Sequence, residues 1–437
     1  MIISNIVGII ADDLTGANDT ALQFKKRNAR IKILLNGLNS PKNDLNTEVW
    51  AVSTESRNVE STVAREKIVN VLESLNKNLN LEFFYKKIDS TLRGNIAAET
   101  LAMLDYLNYD AAIVIPAFPL EGRITVGGYH LAKGVPIGRT EMARDPHSPI
   151  LESHIPTLFK SQLDEDEAET VGMIDLKTVM NGAGPILMRI KELVNDGKKI
   201  IVADSTNVTD IEQIILAIEK STYKILPVGT AAAGSILAKM WLPDIEVEEP
   251  EIVSVPKLPR LIISGSATGI NANQIEQLEK SYDYDVVSVP LTTDMVLSDI
   301  TDEFVDSIIE KFSKSDTVLI HSSKLLDSFD GFSDESLKDE LTRSKLASRI
   351  TDYLAELTKK IIDKKDVILI SLGGETSYKC CSAISSEELS MVGEVAPAIA
   401  ICVDFKNQWI ITKSGNLGTP RTLIDILNYI DKHEQVQ

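Results

Sequence analysis

Six short runs set the fold: IVGIIA (6–11), AAIVIPA (111–117), KIIVADS (199–205), RLIISGS (260–266), TVLIHSS (317–323) and VILISLGG (367–374). Each stays apolar for four to six residues and then ends in a small or polar residue. A strand wetted on one face alternates. A run without alternation is buried on both faces, the habit of parallel strands whose C-terminal ends open into ligand-binding loops. Between the runs lie amphipathic stretches at 60–79, 185–197, 208–221, 271–281 and 335–363. This alternation predicts an α/β fold, with a mostly parallel sheet flanked by helices in each half.

A chain of 437 residues is too long for one ordinary core and fits two domains. The best boundary is 242–259, LPDIEVEEPEIVSVPKLP, where four prolines and five acidic residues interrupt the strand–helix rhythm. The expected organisation is a domain at 1–241, a linker at 242–259 and a domain at 260–437. The net charge of −19 argues against sequence-independent binding to nucleic acid or anionic lipid, since both would repel the chain. A small anion stays admissible if Arg, Lys and backbone N–H groups cluster locally. No stretch approaches about 18 consecutive apolar residues, so no membrane span is expected. MIISNIVGIIADD lacks a basic leader and reads as a buried strand. Cys380, Cys381 and Cys402 have no metal-ligand spacing and suit small buried hydrophobes in a reducing cytoplasm.

Three polar constellations follow strand-like runs in the first half. In IADDLTGANDT, Asp12 and Asp13 meet at a strand-to-helix turn. One Asp is explained as a helix cap. A second beside it repels the first unless one meets a proton, a metal or a substrate hydroxyl, so a carboxylate here can take the proton of an attacking alcohol. KKIDSTLRGN (86–95) gathers two cations, a carboxylate, two hydroxyls and an Arg-Gly at the start of a helix, either a capped helix with a surface Arg or an anion site. The stretch 116–146 holds so many Pro and Gly residues that it reads as a long functional loop, with Arg123, Arg139 and Arg144 as candidate carboxylate clamps. His130 within it is read as structural.

The second half carries Ser264-Gly265-Ser266-Ala267-Thr268-Gly269, Gly373-Gly374-Glu375-Thr376 and Lys413-Ser414-Gly415-Asn416-Leu417-Gly418. Glycine lets the backbone approach a ligand, and N–H groups with hydroxyls cradle phosphate. None is a Walker A motif or a G-x-G-x-x-G, but three in one domain point to a nucleotide site.

Together these residues resemble the four-carbon acid sugar kinase family over essentially the whole chain. The likeness is carried by IADDLTGANDTA, Ser53-Thr54-Glu55-Ser56-Arg57, KKIDSTLRGN, PAFPLEGRITVGGYHLAKGVP with EMARDPHSP, SGSAT, LGGET and TKSGNLG. The resemblance implies two α/β domains, the first binding an acid sugar and the second a nucleotide, with the active site in the interdomain cleft. It implies ATP-dependent phosphorylation of the terminal hydroxyl of threonate, erythronate or 3-oxo-tetronate, with Mg²⁺ accompanying ATP and no separate protein metal site assigned. Carried over by position, Asp12, Asp13, Arg57 and Lys87-Ile88-Asp89-Ser90 hold substrate, and Ser266, Gly373 to Thr376 and Gly415 contact ATP, with Thr268 beside them. The chain departs from the family in having Glu375 where Asp is usual, Ala398 where Gly is usual, and Asn416-Leu417 within the third loop.

The expected mechanism has Asp12 or Asp13 as base, Arg57, Lys87 and Arg93 on the acid's carboxylate, and the glycine loops with Mg²⁺ on ATP. Two rivals remain at this point. A nucleotide-cofactor oxidoreductase acting on hydroxy acids shares the architecture but lacks a dinucleotide fingerprint after the first strand. A non-catalytic sensor of sugar acid and nucleotide is the other. Oligomeric state, a homo-oligomer included, leaves no readable periodicity.

Overall fold

The computed structural model describes residues 7–37, 44, 46–145, 148–242, 254–266, 268–323, 325 and 343–434. The chain separates into two compact units, Met1–Val247 and Glu248–Gln437. Residues 243–253 of the expected linker and 335–342 of the expected fifth helical stretch lie outside the described residues.

In the first unit, β1 (Val7–Ala11), β2 (Ile31–Leu34), β3 (Val49–Ser53), β4 (Phe83–Lys87), β5 (Ala111–Ile115), β9 (Val171–Ile174), β10 (Ile200–Ala203) and β11 (Ile225–Gly229) form a parallel sheet. Its order is β2-β3-β1-β4-β11-β5-β10-β9. Every residue of β1, β3, β5, β10 and β11 is buried, as unalternating apolar runs require. Ala11 pairs with Ser53 on one side and Lys87 on the other, so β1, β3 and β4 end level with one another. The chain leaves β1 toward β3 and later returns to its other side as β4. In open α/β sheets such a reversal is where ligand crevices form, at the strands' C-terminal ends.

The helices form where the pattern changes period. Helix α1 (Leu14–Lys25) follows β1 and α2 (Ser61–Asn78) follows β3. The buried apolar residues of α2 are Ala64, Ile68, Val71, Leu72 and Leu75, the stripe of a helix packed along one face. Burying each Ile or Leu contributes about 1.5–3 kcal/mol. Helix α3 (Ile96–Leu107) follows β4 and packs against α2, while α1 packs against Ala231–Trp241.

The stretch 116–145 is more ordered than its Pro and Gly content predicts. Residues within it form a small antiparallel sheet of β6 (Arg123–Val126), β7 (Tyr129–Ala132) and β8 (Val135–Pro136). Gly127 and Gly128 take φ of 59° and 77° in the turn between β6 and β7, a conformation that disfavours side chains. The Asp204 carboxylate accepts from both of their N–H groups, at 2.7 and 2.9 Å, and from Leu176 at 3.0 Å. That acceptor lies at the end of β10, far away in sequence, so local composition could not disclose it.

In the second unit, β12 (Arg260–Ser264), β13 (Val286–Pro290), β14 (Thr317–His321), β15 (Ile368–Leu372), β16 (Glu388–Ala396), β17 (Ile399–Asp404) and β18 (Trp409–Lys413) follow the order β13-β14-β12-β15-β18-β17-β16. The first five in that order run parallel, and β17 and β16 add an antiparallel edge. Ser264, Leu372 and Lys413 are neighbours in register, so the loops after β12, β15 and β18 emerge side by side.

Between β16 and β17, Pro397 and Ala398 make the turn, and Ala398 sits at φ 60°. This is the position where the resemblance implies a Gly. A left-handed L-residue costs about 1–2 kcal/mol, partly offset by the roughly 0.4–1 kcal/mol of extra unfolded-chain entropy that Gly brings. Ala398→Gly is therefore expected to stabilise the protein by roughly 0.5–1 kcal/mol, read as a higher urea midpoint with an unchanged slope.

Candidate functional site

Three loops meet at the level ends of β1, β3 and β4. Asp12 and Asp13 follow β1, Arg57 follows β3, and Asp89 to Arg93 follow β4. The Arg57 guanidinium is the hub. Its Nε donates to Asp12 Oδ2 at 2.7 Å, its Nη1 lies 2.7 Å from Asp13 Oδ2, and its Nη2 lies 3.8 Å from Asp89 Oδ1. A planar fork of five donors suits this gathering of carboxylates from two loops.

Arg93 is the second hub. Its Nε donates to Asp89 Oδ2 at 2.8 Å, its Nη2 to Asp89 Oδ1 at 3.2 Å, and its Nη1 to Asp145 Oδ2 at 3.0 Å. Thr91 also donates to Asp89. Both arginines thus arrive already neutralised, a pairing that a count of cations along the chain does not disclose. Arg139 and Arg144 are exposed, while Arg123 donates to Ser90 Oγ at 2.8 Å. His130 is fully buried, lies 3.0 Å from the Ser90 carbonyl, and is pushed by burial down to about 4, which keeps it neutral.

The two lysines of β4 face opposite ways, as successive strand residues must. Lys86 is fully buried and lies 2.6 Å from Glu99 Oε2 on α3. Lys87 points to the α1 side, where a Cβ added at Gly16 would sit 3.2 Å from its Nζ. It donates to the Ile88 carbonyl at 2.7 Å and, among the described residues, no carboxylate comes within ion-pair distance. Ile88 itself is core.

Asp12 and Asp13 differ in what occupies them. Asp13 caps α1, its Oδ1 accepting from Gly16 N at 2.8 Å and its Oδ2 from the Thr15 hydroxyl at 3.0 Å as well as facing Arg57. Asp12 spends Oδ2 on Arg57, and its Oδ1 is buried without a hydrogen-bond partner. Burial pushes the Asp12 carboxyl up, but Arg57, Lys86 and Lys87 outweigh it and hold it below its ordinary value. Asp89 is likewise pushed up by burial and drawn well below its ordinary value by Arg93 and Arg57.

Glu55 takes no assigned role in the sequence reading, although it stands in the Ser53–Arg57 stretch. It holds a left-handed φ of 47°, accepts from Leu14 N at 3.1 Å and from the Ser53 hydroxyl, and is pushed by burial up to about 8. Leu92, at φ 67° between Thr91 and Arg93, is a second strained residue beside the cluster. Such strain concentrates at functional sites.

In the second unit the phosphate-type loops come together at the ends of β12, β15 and β18. Thr268 Oγ1 donates to the Gly415 carbonyl at 2.7 Å and caps helix Gly269–Glu279 through Asn271 N. Ser266 Oγ lies 3.3 Å from Thr268 Oγ1, and a Cβ at Gly415 would fall 2.2 Å from it. A Cβ at Gly265 would meet Thr376 Oγ1 at 2.5 Å, and Gly373 sits at φ 105°. Side chains are excluded here by close loop packing, the glycine use that phosphate cradles require. Glu375 is engaged by Lys379 Nζ at 3.1 Å and Thr351 Oγ1 at 3.2 Å. Among the described residues, no group of three or more His, Cys, Asp or Glu is arranged to hold a metal ion.

Residues 7–238 match the family model of a sugar-binding N-terminal domain, and residues 261–423 that of a nucleotide-binding C-terminal domain. The chain belongs to the four-carbon acid sugar kinase family. It is 28% identical to a D-erythronate kinase of Heliobacterium modesticaldum, over 98% of this chain and 97% of that one. It is also 28% identical to a D-threonate kinase of Salmonella typhimurium, over 97% and 98% of the two chains. The fold is that of a Haemophilus influenzae protein of known crystal structure, with a TM-score of 0.71 at 20% identity over 97% of this chain and 100% of the other. No helix among the described residues is long and apolar enough to cross a membrane.

Proposed function

We propose that this enzyme transfers the γ-phosphoryl group of ATP to the terminal hydroxyl of a four-carbon sugar acid: threonate, erythronate or the 3-oxo acid. The observation that carries this reading is the buried, unpartnered Oδ1 of Asp12 at the strand ends that also bring in Arg57 and Lys87. A buried acceptor without a donor is costly, and a substrate hydroxyl removes that cost.

In this reading the hydroxyl donates to Asp12 Oδ1. As its oxygen bonds to the γ-phosphorus, the proton passes to that carboxylate and the bond to the ADP oxygen breaks. Arg57 fixes Asp12 by holding its other oxygen, and Lys87 meets the acid's carboxylate. Arg93, committed to Asp89 and Asp145, shapes the loop that carries Ser90. The nucleotide is assigned to Ser266, Thr268, Gly373 to Thr376 and Gly415, and Mg²⁺ enters with its phosphates as part of the substrate. We place the enzyme in the cytoplasm, where ATP is supplied. Its three cysteines are free and buried, as a reducing compartment allows.

Equal identity to an erythronate kinase and a threonate kinase leaves the configuration to experiment. The test is ADP release with Mg·ATP against D- and L-threonate, D- and L-erythronate and their 3-oxo forms. Turnover with one of them is the expected result, and silence from all six would sink the reading.

A further inference from the structure

Lys413 closes β18 and is fully buried, yet the mechanism above gives it no part. Its Nζ donates to the Ser414 carbonyl at 2.7 Å and the Leu417 carbonyl at 3.1 Å. Among the described residues no carboxylate forms an ion pair with it. The helix Gly374–Ala383, which packs against β18, keeps its own charges, Glu375 and Lys379, paired at 3.1 Å. Helix Gly269–Glu279 presents a neutral amide to this loop, Gln274 Nε2 donating to the carbonyls of Leu417 and Thr419. The ammonium is thus surrounded by neutral groups, and burial alone pushes it down to about 7.

The position is central to the nucleotide loops. The Lys413 carbonyl accepts from Gly373 N at 2.8 Å, and its side chain folds residues 414–417, whose Gly415 carbonyl is held by Thr268. A planar trans peptide sets its N–H opposite its C=O. Drawing the carbonyls of Ser414 and Leu417 onto the ammonium therefore turns the N–H groups of Gly415 and Gly418 away from it. Two such amides with a cation behind them suit an anion.

We propose that Lys413 is the buried counter-charge of the nucleotide's phosphates, acting through the loop it folds. It is a positioning residue: it shapes 414–418 so that backbone amides face the anion, and it neutralises that anion from behind the loop. The inference rests on the nucleotide reading of this domain and adds a consequence that reading lacks. An anion arriving beside an uncharged amine favours its charged form, so nucleotide binding takes up a proton above neutral pH.

The test is calorimetric titration of the full chain with ADP at pH 8, in Hepes and in Tris, whose ionisation enthalpies differ. Nucleotide phosphates are already ionised there. Wild type is expected to take up roughly 0.9 of a proton per ADP, the deprotonated fraction of an amine that titrates near 7. Lys413→Arg keeps the charge without titrating, so it should bind ADP with that uptake gone. In wild type, ADP affinity should fall by about tenfold per pH unit between pH 8 and 9, a linkage absent from Lys413→Arg. A merely structural lysine would change affinity on substitution without proton linkage. Equal binding enthalpies in both buffers for wild type would overturn the proposal. So would an uptake that survives in Lys413→Arg. If Lys413→Arg fails to fold, the wild-type buffer comparison and pH series decide. No binding heat at all would instead overturn the nucleotide reading itself, an outcome distinct from heat without proton uptake.

Discussion

Asp12→Asn should lower kcat by about 10²–10⁴-fold, the usual range for removing a general base, while the protein still folds. Asparagine keeps the size of the side chain and an oxygen to accept from Arg57 Nε, but it cannot take a proton. Asp13→Asn is the informative control. Asparagine is as good a helix cap as aspartate, so α1 should keep its start, and the loss falls on the contact with Arg57 Nη1. A kcat loss of less than about tenfold is expected there, since no bond to the substrate hydroxyl is removed. ADP release with each variant, checked against its thermal melt, measures both. Equal losses would remove the distinction drawn from the free Oδ1. The pH profile adds a second reading: Asp12 is held below its ordinary value by Arg57, Lys86 and Lys87, so it stays ionised and sets no acidic limb between about pH 5 and 8.

That distinction between neighbours marks where the sequence stops being legible. The six apolar runs all became parallel strands, because burial on both faces is written into consecutive side chains. The segments IADD and KIDSTLRGN arrived at adjacent strand ends, since the order reversal beside β1 puts them there. The pairing of charges was not readable. Adjacent Asp12 and Asp13 are the same residue with different donors: Arg57, some 45 residues later, reaches both, while Gly16 N and the Thr15 hydroxyl fill Asp13 alone. Arg93 reads as free to bind an acid until Asp145, 52 residues away, is seen to occupy it. Lys86 and Lys87 read as two cations of one cluster. Strand geometry sends them to opposite faces of the sheet, one to Glu99 and one to the α1 side, and only the helices' placement says which is which. Lys413 gave a weaker signal still, a lysine at the end of an apolar strand, because burial without a partner is a property of the packed loop.

The division of labour between the β4 lysines makes the second large prediction. Lys86→Met should destabilise the protein by about 3–5 kcal/mol, because removing one partner of a buried ion pair strands the other. The stranded group is Glu99, 1% exposed on α3, whose carboxyl burial already pushes above its ordinary value despite the lysine 2.6 Å away. Without Lys86 that carboxyl moves higher still and takes up a proton on folding. An acid whose folded value lies above its unfolded one imposes no penalty below the unfolded value, and stability is lost as pH rises through the folded one. The variant should therefore be closer to wild type at pH 5 than at pH 8, as urea unfolding at the two pH values will read. The double variant Lys86→Met/Glu99→Leu removes both charges from the core and should recover most of the loss, as apolar replacement of buried pairs does. A single-variant loss under about 1 kcal/mol would mean that the pair behaves as a solvated surface bridge, contrary to its full burial. The rescued double variant also separates fold from chemistry. Asp12 in it keeps Arg57 and Lys87 and loses Lys86 and Glu99 together, charges of opposite sign that act on its carboxyl in opposite senses. If Asp12 is the base, kcat/KM should keep its wild-type pH profile in a protein whose fold has been restored.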